Sequence, residues 1–197
     1  MLCSPTSPKA RTTEMIHADR KEGFLKVANI AAHLLFLVSN ISTLVSPWPD
    51  IRQTYFTPAI WAFYVWPVIH ILLLCNLIYS FASDHGKAVM IDGISWEFPL
   101  LLILYAIFVT ARASCNRIFA LVVCIYLSNV CDSIYYTLLR NYPIKSLEEQ
   151  FFIVLPFSAC QAWNNVMFFL TTFEAIGVDA TEHDDGNWTR LFVVSTL

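Results

Sequence analysis

Glycine is scarce in this chain of 197 residues, with only five in all. There is no glycine-rich phosphate loop, no G-x-S-x-G elbow, no H-E-x-x-H zinc helix and no aspartate-rich diphosphate motif. Those absences set aside nucleotide hydrolysis, serine-type hydrolysis, zinc peptidase chemistry and diphosphate-ionising synthesis. G-x-x-x-G is missing too, so a homodimer stays open but would not rest on that tight helix crossing. Charge is also sparse, at 14% of residues against about 25% in soluble domains. The net charge of −3 is too slight to imply nucleic acid or a strongly anionic partner. No C-x-x-C pair occurs among Cys3, Cys75, Cys115, Cys124, Cys131 and Cys160, and four of these fall inside long apolar runs. They read as small buried apolar side chains rather than as a disulfide set.

Hydrophobic residues, in contrast, make up 57% of the chain, more than a core of this size can bury, so the surplus must face lipid. From Ile60 to Ala82 there is no Asp, Glu, Lys or Arg. At about 1.5 Å per residue that run makes a rod of roughly 34 Å, enough to cross a hydrocarbon core of about 30 Å. Thr57 and Pro58 before it form a helix-start pair, a hydroxyl that caps and a proline suited to a first turn. Similar runs cover 24–45, 57–82, 95–113, 117–139 and 151–177, the last provided that Pro156 lies near one end or kinks it. They are too long for strands and lack period-two alternation. The expected fold class is an all-α membrane protein, a bundle of five transmembrane helices.

Residues 1–23 are polar, carry Pro5 and Pro8, and lack the early apolar run of a signal peptide, so they read as a disordered cytosolic tail. Residues 24–177 form the membrane domain, and 178–197 a polar tail with a short apolar stub. With the N-terminus cytosolic, that side collects Lys9, Arg11, Arg20, Lys21, Lys26, Lys87, Arg140 and Lys145. The other side receives Arg52, Arg112, Arg117 and Arg190, and eight against four favours this orientation. The C-terminal tail then lies outside, where the sequon Asn187-Trp188-Thr189 would be usable. Leu191–Leu197 is too short to span; it reads as an interfacial segment or as the opening of a truncated sixth helix.

The second run holds Phe56-Thr57-Pro58-Ala59, then Phe63, Trp66, Ile69, Leu72–Leu74 and Tyr79, and the fifth holds Leu155-Pro156-Phe157-Ser158 followed by Trp163. These residues resemble the second and fifth helices of the tryptophan-rich sensory protein family, the TspO/MBR group that includes translocator and peripheral benzodiazepine receptor-like proteins. The order and spacing of the runs from Phe24 to Gly177 fit as well. The third run differs, with Trp96 followed by LLLILYAIF in place of the family's asparagine and tryptophan pair, and His70 stands where an aromatic is usual. The resemblance implies a five-helix bundle that holds a small hydrophobic molecule such as a porphyrin or a sterol-like lipid.

Polar groups at bilayer depth each need a reason, because an ionisable one costs about 2.5–3.5 kcal/mol on insertion scales. Asn129, Asp132 and Tyr136 share one face of the fourth helix by their spacing. They read either as interhelical hydrogen-bonding glue or as a proton donor and ligand contacts facing a cavity. Glu97 follows Ser95, a candidate N-cap, and precedes Pro99. It reads as a first-turn acid favoured by the helix dipole or as a pocket acid beside Trp96. His70 reads as a neutral, bonded core histidine or as an acid–base group, with His33 the other histidine in the membrane runs. A metal site on two histidines is not expected. Gln161, Asn164 and Asn165 flank Trp163 and must look inward, to bridge helices or to read a ligand. Trp61, Tyr64 and Trp66 serve as anchors or pocket walls, Trp66 by its depth as a wall.

The leading functional reading is an integral, multi-pass membrane protein whose partners are the bilayer and a small hydrophobic molecule. Phe63, Trp66, Trp163 and the amides at 161–165 line its cavity, without cofactor or covalent chemistry. The alternative is a membrane enzyme of terpenoid or lipid biosynthesis, a proton-initiated cyclase or isomerase. There aromatic faces stabilise a carbocation and Asp132 or Glu97 delivers the proton. An accessory or transport role in such a secondary-metabolite pathway is the third. All three require that the protein resist carbonate extraction and leave membranes only in detergent; recovery in the soluble fraction after cell breakage would contradict every one of them.

Overall fold

The computed structural model describes residues 8–45, 59–143 and 146–176, and among them every regular element is helical. Helix α1 runs Pro8–Val45. A 3₁₀ turn at Ile60–Tyr64 leads into α2, Val65–Ala82. Helix α3, Asp84–Ala88, passes into a π-helical stretch, Val89–Ile94. Then come α4, Glu97–Ala113, and α5, Arg117–Asn141. The short α6, Leu147–Glu149, continues through π-helical Gln150–Val154 into α7, Leu155–Ile176.

Four helices among the described residues are long and apolar enough to cross a membrane: Asp19–Ile41, Trp61–Ala82, Arg117–Asn141 and Leu147–Ile176. The third expected span is the exception. Helix α4 has only 17 residues, and it meets the length of a crossing together with Asp84–Ile94, from which it is bent by 72°. The break sits at Ser95, which adopts φ 50°. Ser95 is therefore not the N-cap expected of it. That position falls to Trp96, which makes no side-chain cap bond. A non-glycine residue held there stores about 1–3 kcal/mol of strain. At its other end α1 extends back through residues assigned above to a disordered tail. Pro8 suits a first turn, and Lys9, Ala10, Arg11, Glu14 and Met15 are all good helix formers. Thr57, Pro58 and the C-terminal stub lie outside the described residues.

The helices form a ring in the order α1, α4, α5, α7, α2. Closure between α2 and α1 is made largely by side chains, with less backbone contact than at the other seams. Leu25, Phe36, Ile69, Leu73, Phe98, Leu101, Leu102, Tyr105, Leu127 and Phe157 are fully buried, while Val27, Leu34, Val38, Val68, Ile71 and Ile78 lie exposed on the outer faces. Those outer residues present the apolar surface that lipid covers.

Proline placement explains two helix starts and one stop. Pro67 lies in the first turn of α2, and α5 ends just before Pro143. Pro156 cannot donate to the Phe152 carbonyl one turn back, and the π-helical stretch ahead of it takes up the mismatch. The freed Phe152 carbonyl accepts instead from Asn76 Nδ2 of α2, at 2.6 Å. One amide thus repairs α7 and ties it to α2. At the same end Gly93 lies so close to the Tyr142 ring that a Cβ there would come within 2.6 Å of it. The substitution Asn76→Leu should orphan the Phe152 carbonyl, at about 1–3 kcal/mol, and lower the melting temperature in detergent. An unchanged melting curve would show that the bond does not support the α2–α7 contact.

Candidate functional site

Aromatic rings from four helices meet in one half of the bundle. Phe36 of α1 stacks on His70 of α2 at 4.0 Å between centroids and lies 6.0 Å from Trp66 and 5.4 Å from Tyr105 of α4. Trp66 is in turn 5.2 Å from Tyr105 and 6.1 Å from Trp163 of α7, which meets Phe63 edge-on at 5.8 Å. Such pairs contribute about 0.5–1.5 kcal/mol each beyond area burial. Trp66 Nε1–H donates to Asn40 Oδ1, and Asn40 Nδ2 donates to the Phe36 carbonyl at 2.7 Å, so α1 fixes the indole from two points. Tyr105 shares a hydrogen bond with Cys160 Sγ at 3.0 Å.

This hub leaves polar atoms without partners. Both ring nitrogens of His70, Nδ1 of His33 and Nε1 of Trp163 are buried and find no hydrogen-bond partner among the described residues. Buried donors and acceptors are normally matched, so this cluster of unmatched ones beside aromatic faces makes the hub the candidate site.

A second group lies across α5. Glu97 Oε1 accepts from Ser133 Oγ at 2.8 Å, while its other oxygen is buried without a partner. Gln161 Nε2 donates to Asp132 Oδ1, and Asn164 Nδ2 donates to Ser128 Oγ at 2.8 Å. The carbonyl oxygens of Gln161 and Asn164 are again buried and unmatched. Because Asp132 and Ser133 are consecutive, both acids engage one turn of α5. Glu97 does stand in the first turn of its helix, but one of its oxygens is tucked inside the bundle and the other is held by a neighbouring helix.

The remaining candidates lie apart from the hub. Trp96 is 46% exposed and packs on Phe24 at 5.6 Å. Asn129 and Asn165 are exposed, and Asn129 Nδ2 bonds back to the Ile125 carbonyl of its own helix at 2.7 Å. Tyr136 is exposed and accepts from Arg140 Nη1 at 2.7 Å. The face shared by Asn129, Asp132 and Tyr136 is thus an outer one, with Asp132 reaching sideways to α7. Trp61 and Tyr64 are also exposed, as anchors would be. Among the described residues no group of three His, Cys, Asp or Glu is placed to hold a metal ion, and Cys75, Cys115, Cys124, Cys131 and Cys160 form no disulfide.

Several contributors were not singled out in the sequence. Phe36 and Tyr105 are lost in apolar runs, although Asn29, His33 and Asn40 mark the inner stripe of α1 by their spacing. Glu174, inside the fifth run, was a detectable signal: an acid in a span needs a partner. Its Oε1 receives Arg112 Nη2 at 2.8 Å, with side-chain exposures of 9% and 5%, and Arg112 Nη1 reaches Thr171 Oγ1 at 3.4 Å. Arg112, counted above as a loop charge, therefore joins α4 to α7.

Fold and site together define an all-α, multi-pass membrane protein with an aromatic interior, the buried amides Asn29, Asn76 and Asn164 and the buried acid Glu174. A family model described as TSPO-like protein matches residues 25–197, and the chain belongs to that family. No curated protein and no solved structure matches it.

The ion pair allows a direct check. Arg112→Met should destabilise the detergent-solubilised protein by about 3–5 kcal/mol by stranding Glu174, and Arg112→Met with Glu174→Leu should recover most of that loss. A double variant no better than the single one would contradict the pairing.

Proposed function

We propose that this protein binds a small hydrophobic molecule of porphyrin-, sterol- or isoprenoid-like character at the aromatic hub, with its N-terminus in the cytosol. The observation that carries the proposal is the set of unmatched nitrogens on His70 and Trp163 amid stacked rings. Each such group costs about 1–3 kcal/mol while unpaired; a ligand oxygen accepting from the Trp163 N–H or the His70 N–H, or a ligand hydroxyl donating to the other His70 nitrogen, would remove that penalty. Ring faces of Phe36, Phe63, Trp66 and Tyr105 would cover its apolar body. The α1–α2 seam, closed mostly by side chains, is the route that parts with least backbone rearrangement.

The test is mass spectrometry of what leaves the membrane with the detergent-extracted protein. One lipid-soluble species near stoichiometric amount is expected with the native chain, reduced at least fivefold in His70→Leu and Trp163→Leu. Recovery of bulk bilayer lipid alone, or equal occupancy in both variants, would overturn the assignment.

A second reading, a membrane enzyme acting on an isoprenoid, is favoured by Glu97. Ser133 donates to one oxygen while the other is buried with no partner among the described residues, an arrangement suited to a general acid. Glu97→Gln and Asp132→Asn in a product-forming assay decide it. Loss of product with retained binding supports catalysis; intact product in both removes it.

A further inference from the structure

Away from the hub, the outer flank of α1 and α4 holds a groove of about 430 Å³ that ends at the first turn of α5. Its size falls within the roughly 300–1,000 Å³ of small-molecule sites. Leu35, Ala106, Ile107 and Phe119 form its apolar part. Ser39, Thr110, Ser114 and Asn116 supply its polar part, toward the ends of α4 and α1, where the chain turns back at 114–116. None of the described residues lining it is charged. The groove therefore grades from an oily flank to a neutral polar rim at one membrane face.

The rim has a defined hydrogen-bonding character. Thr110 Oγ1 donates to the Ala106 carbonyl at 2.8 Å and Ser114 Oγ donates to the Thr110 carbonyl at 2.9 Å. Their protons are thus committed, and toward the groove these hydroxyls offer lone pairs. Asn116 is the reverse. Its Oδ1 caps α5 by accepting from Phe119 N–H at 3.3 Å, while its Nδ2 donates to no group among the described residues. Acceptors on one side and a donor on the other suit a head group that both donates and accepts one hydrogen bond. A hydroxyl does both; a carboxylate only accepts and would lie against the hydroxyl lone pairs.

We propose that this groove is a second binding site, for a neutral single-chain amphiphile with a hydroxyl head. Its chain lies along Leu35 and Ile107 and its head at Thr110, Ser114 and Asn116. It is independent of the hub and stands whether or not a ligand binds there.

The test uses the full chain in phosphatidylcholine nanodiscs, a sixteen-carbon alcohol carrying a diazirine as probe, and peptide mapping of the crosslinks. Saturable labelling between residues 106 and 119 is expected, competed by hexadecanol at least tenfold better than by palmitate. Ile107→Trp, which fills the groove, should cut this labelling at least fivefold. Asn116→Asp keeps the cap acceptor but removes the donor, and should cut it at least threefold with the rest of the labelling pattern unchanged. Labelling that rises linearly with probe and spreads over all outer faces would mean bulk lipid only, and equal competition by palmitate would refute the hydroxyl assignment. An Asn116→Asp variant that labels like the native chain would overturn it as well.

Discussion

Inside a bilayer a polar group that leaves water has to find its partner within the protein, and that constraint decides where the polar side chains of this bundle sit. The amide of Asn76 answers the carbonyl that Pro156 frees, Asn164 answers Ser128, Gln161 answers Asp132, and Arg112 answers Glu174. Three of these four bonds end on α7, the helix richest in amides, and the fourth on the π-helical stretch that runs into it. Helix α7 is consequently the element against which α2, α4 and α5 are registered. The outer faces carry mostly Val, Leu, Ile and aromatic side chains, interrupted on α5 by Asn129 and Asp132 and on α7 by Asn165.

Where the pairing rule is broken, it is broken in particular places. The unmatched atoms fall mainly in two groups. One is at the hub, on His70, His33 and Trp163; the other is beside α5, on Glu97, Gln161 and Asn164. An interior selected only for stability would fill such positions with apolar groups of similar shape. Those on His70 and Trp163 lie beside the packed rings of Phe36, Phe63 and Trp66. The elbow at Ser95, with its left-handed φ, swings α4 through 72° and delivers Glu97 to Ser133. Local strain and an unmatched carboxyl oxygen thus occur within a few residues of each other.

Much of this was legible in the sequence, for physical reasons. A run such as Ile60–Ala82 has one stable home, so four of the five spans were readable from length and hydropathy alone, while the third meets the length of a crossing only with the bent stretch before it. Trp66, His70, Gln161, Trp163 and Asn164 stood out because polar or amphipathic groups are rare in such runs. Phe36 and Tyr105 did not, since an aromatic among leucines looks the same whether it faces lipid or a neighbouring ring. The bend at Ser95 was invisible because Ser95-Trp96-Glu97 also reads as an ordinary helix start. Helical spacing put Asn129, Asp132 and Tyr136 on one face correctly but could not say which way that face turns. The Arg112–Glu174 pair needed both ends to be considered at once, and the arginine alone looked like a loop charge.

In this bundle the aromatic interior is shielded from lipid while the aliphatic faces meet it. Collisional quenching by phosphatidylcholine brominated along its acyl chains tests this directly. A chain whose single tryptophan is Trp163, 6% exposed, is compared with a tryptophan-free chain carrying Ile71→Trp, a position 61% exposed on α2. Trp163 should be quenched less than a third as strongly as the indole at position 71. Equal quenching at the two positions would place Trp163 against acyl chains and contradict it.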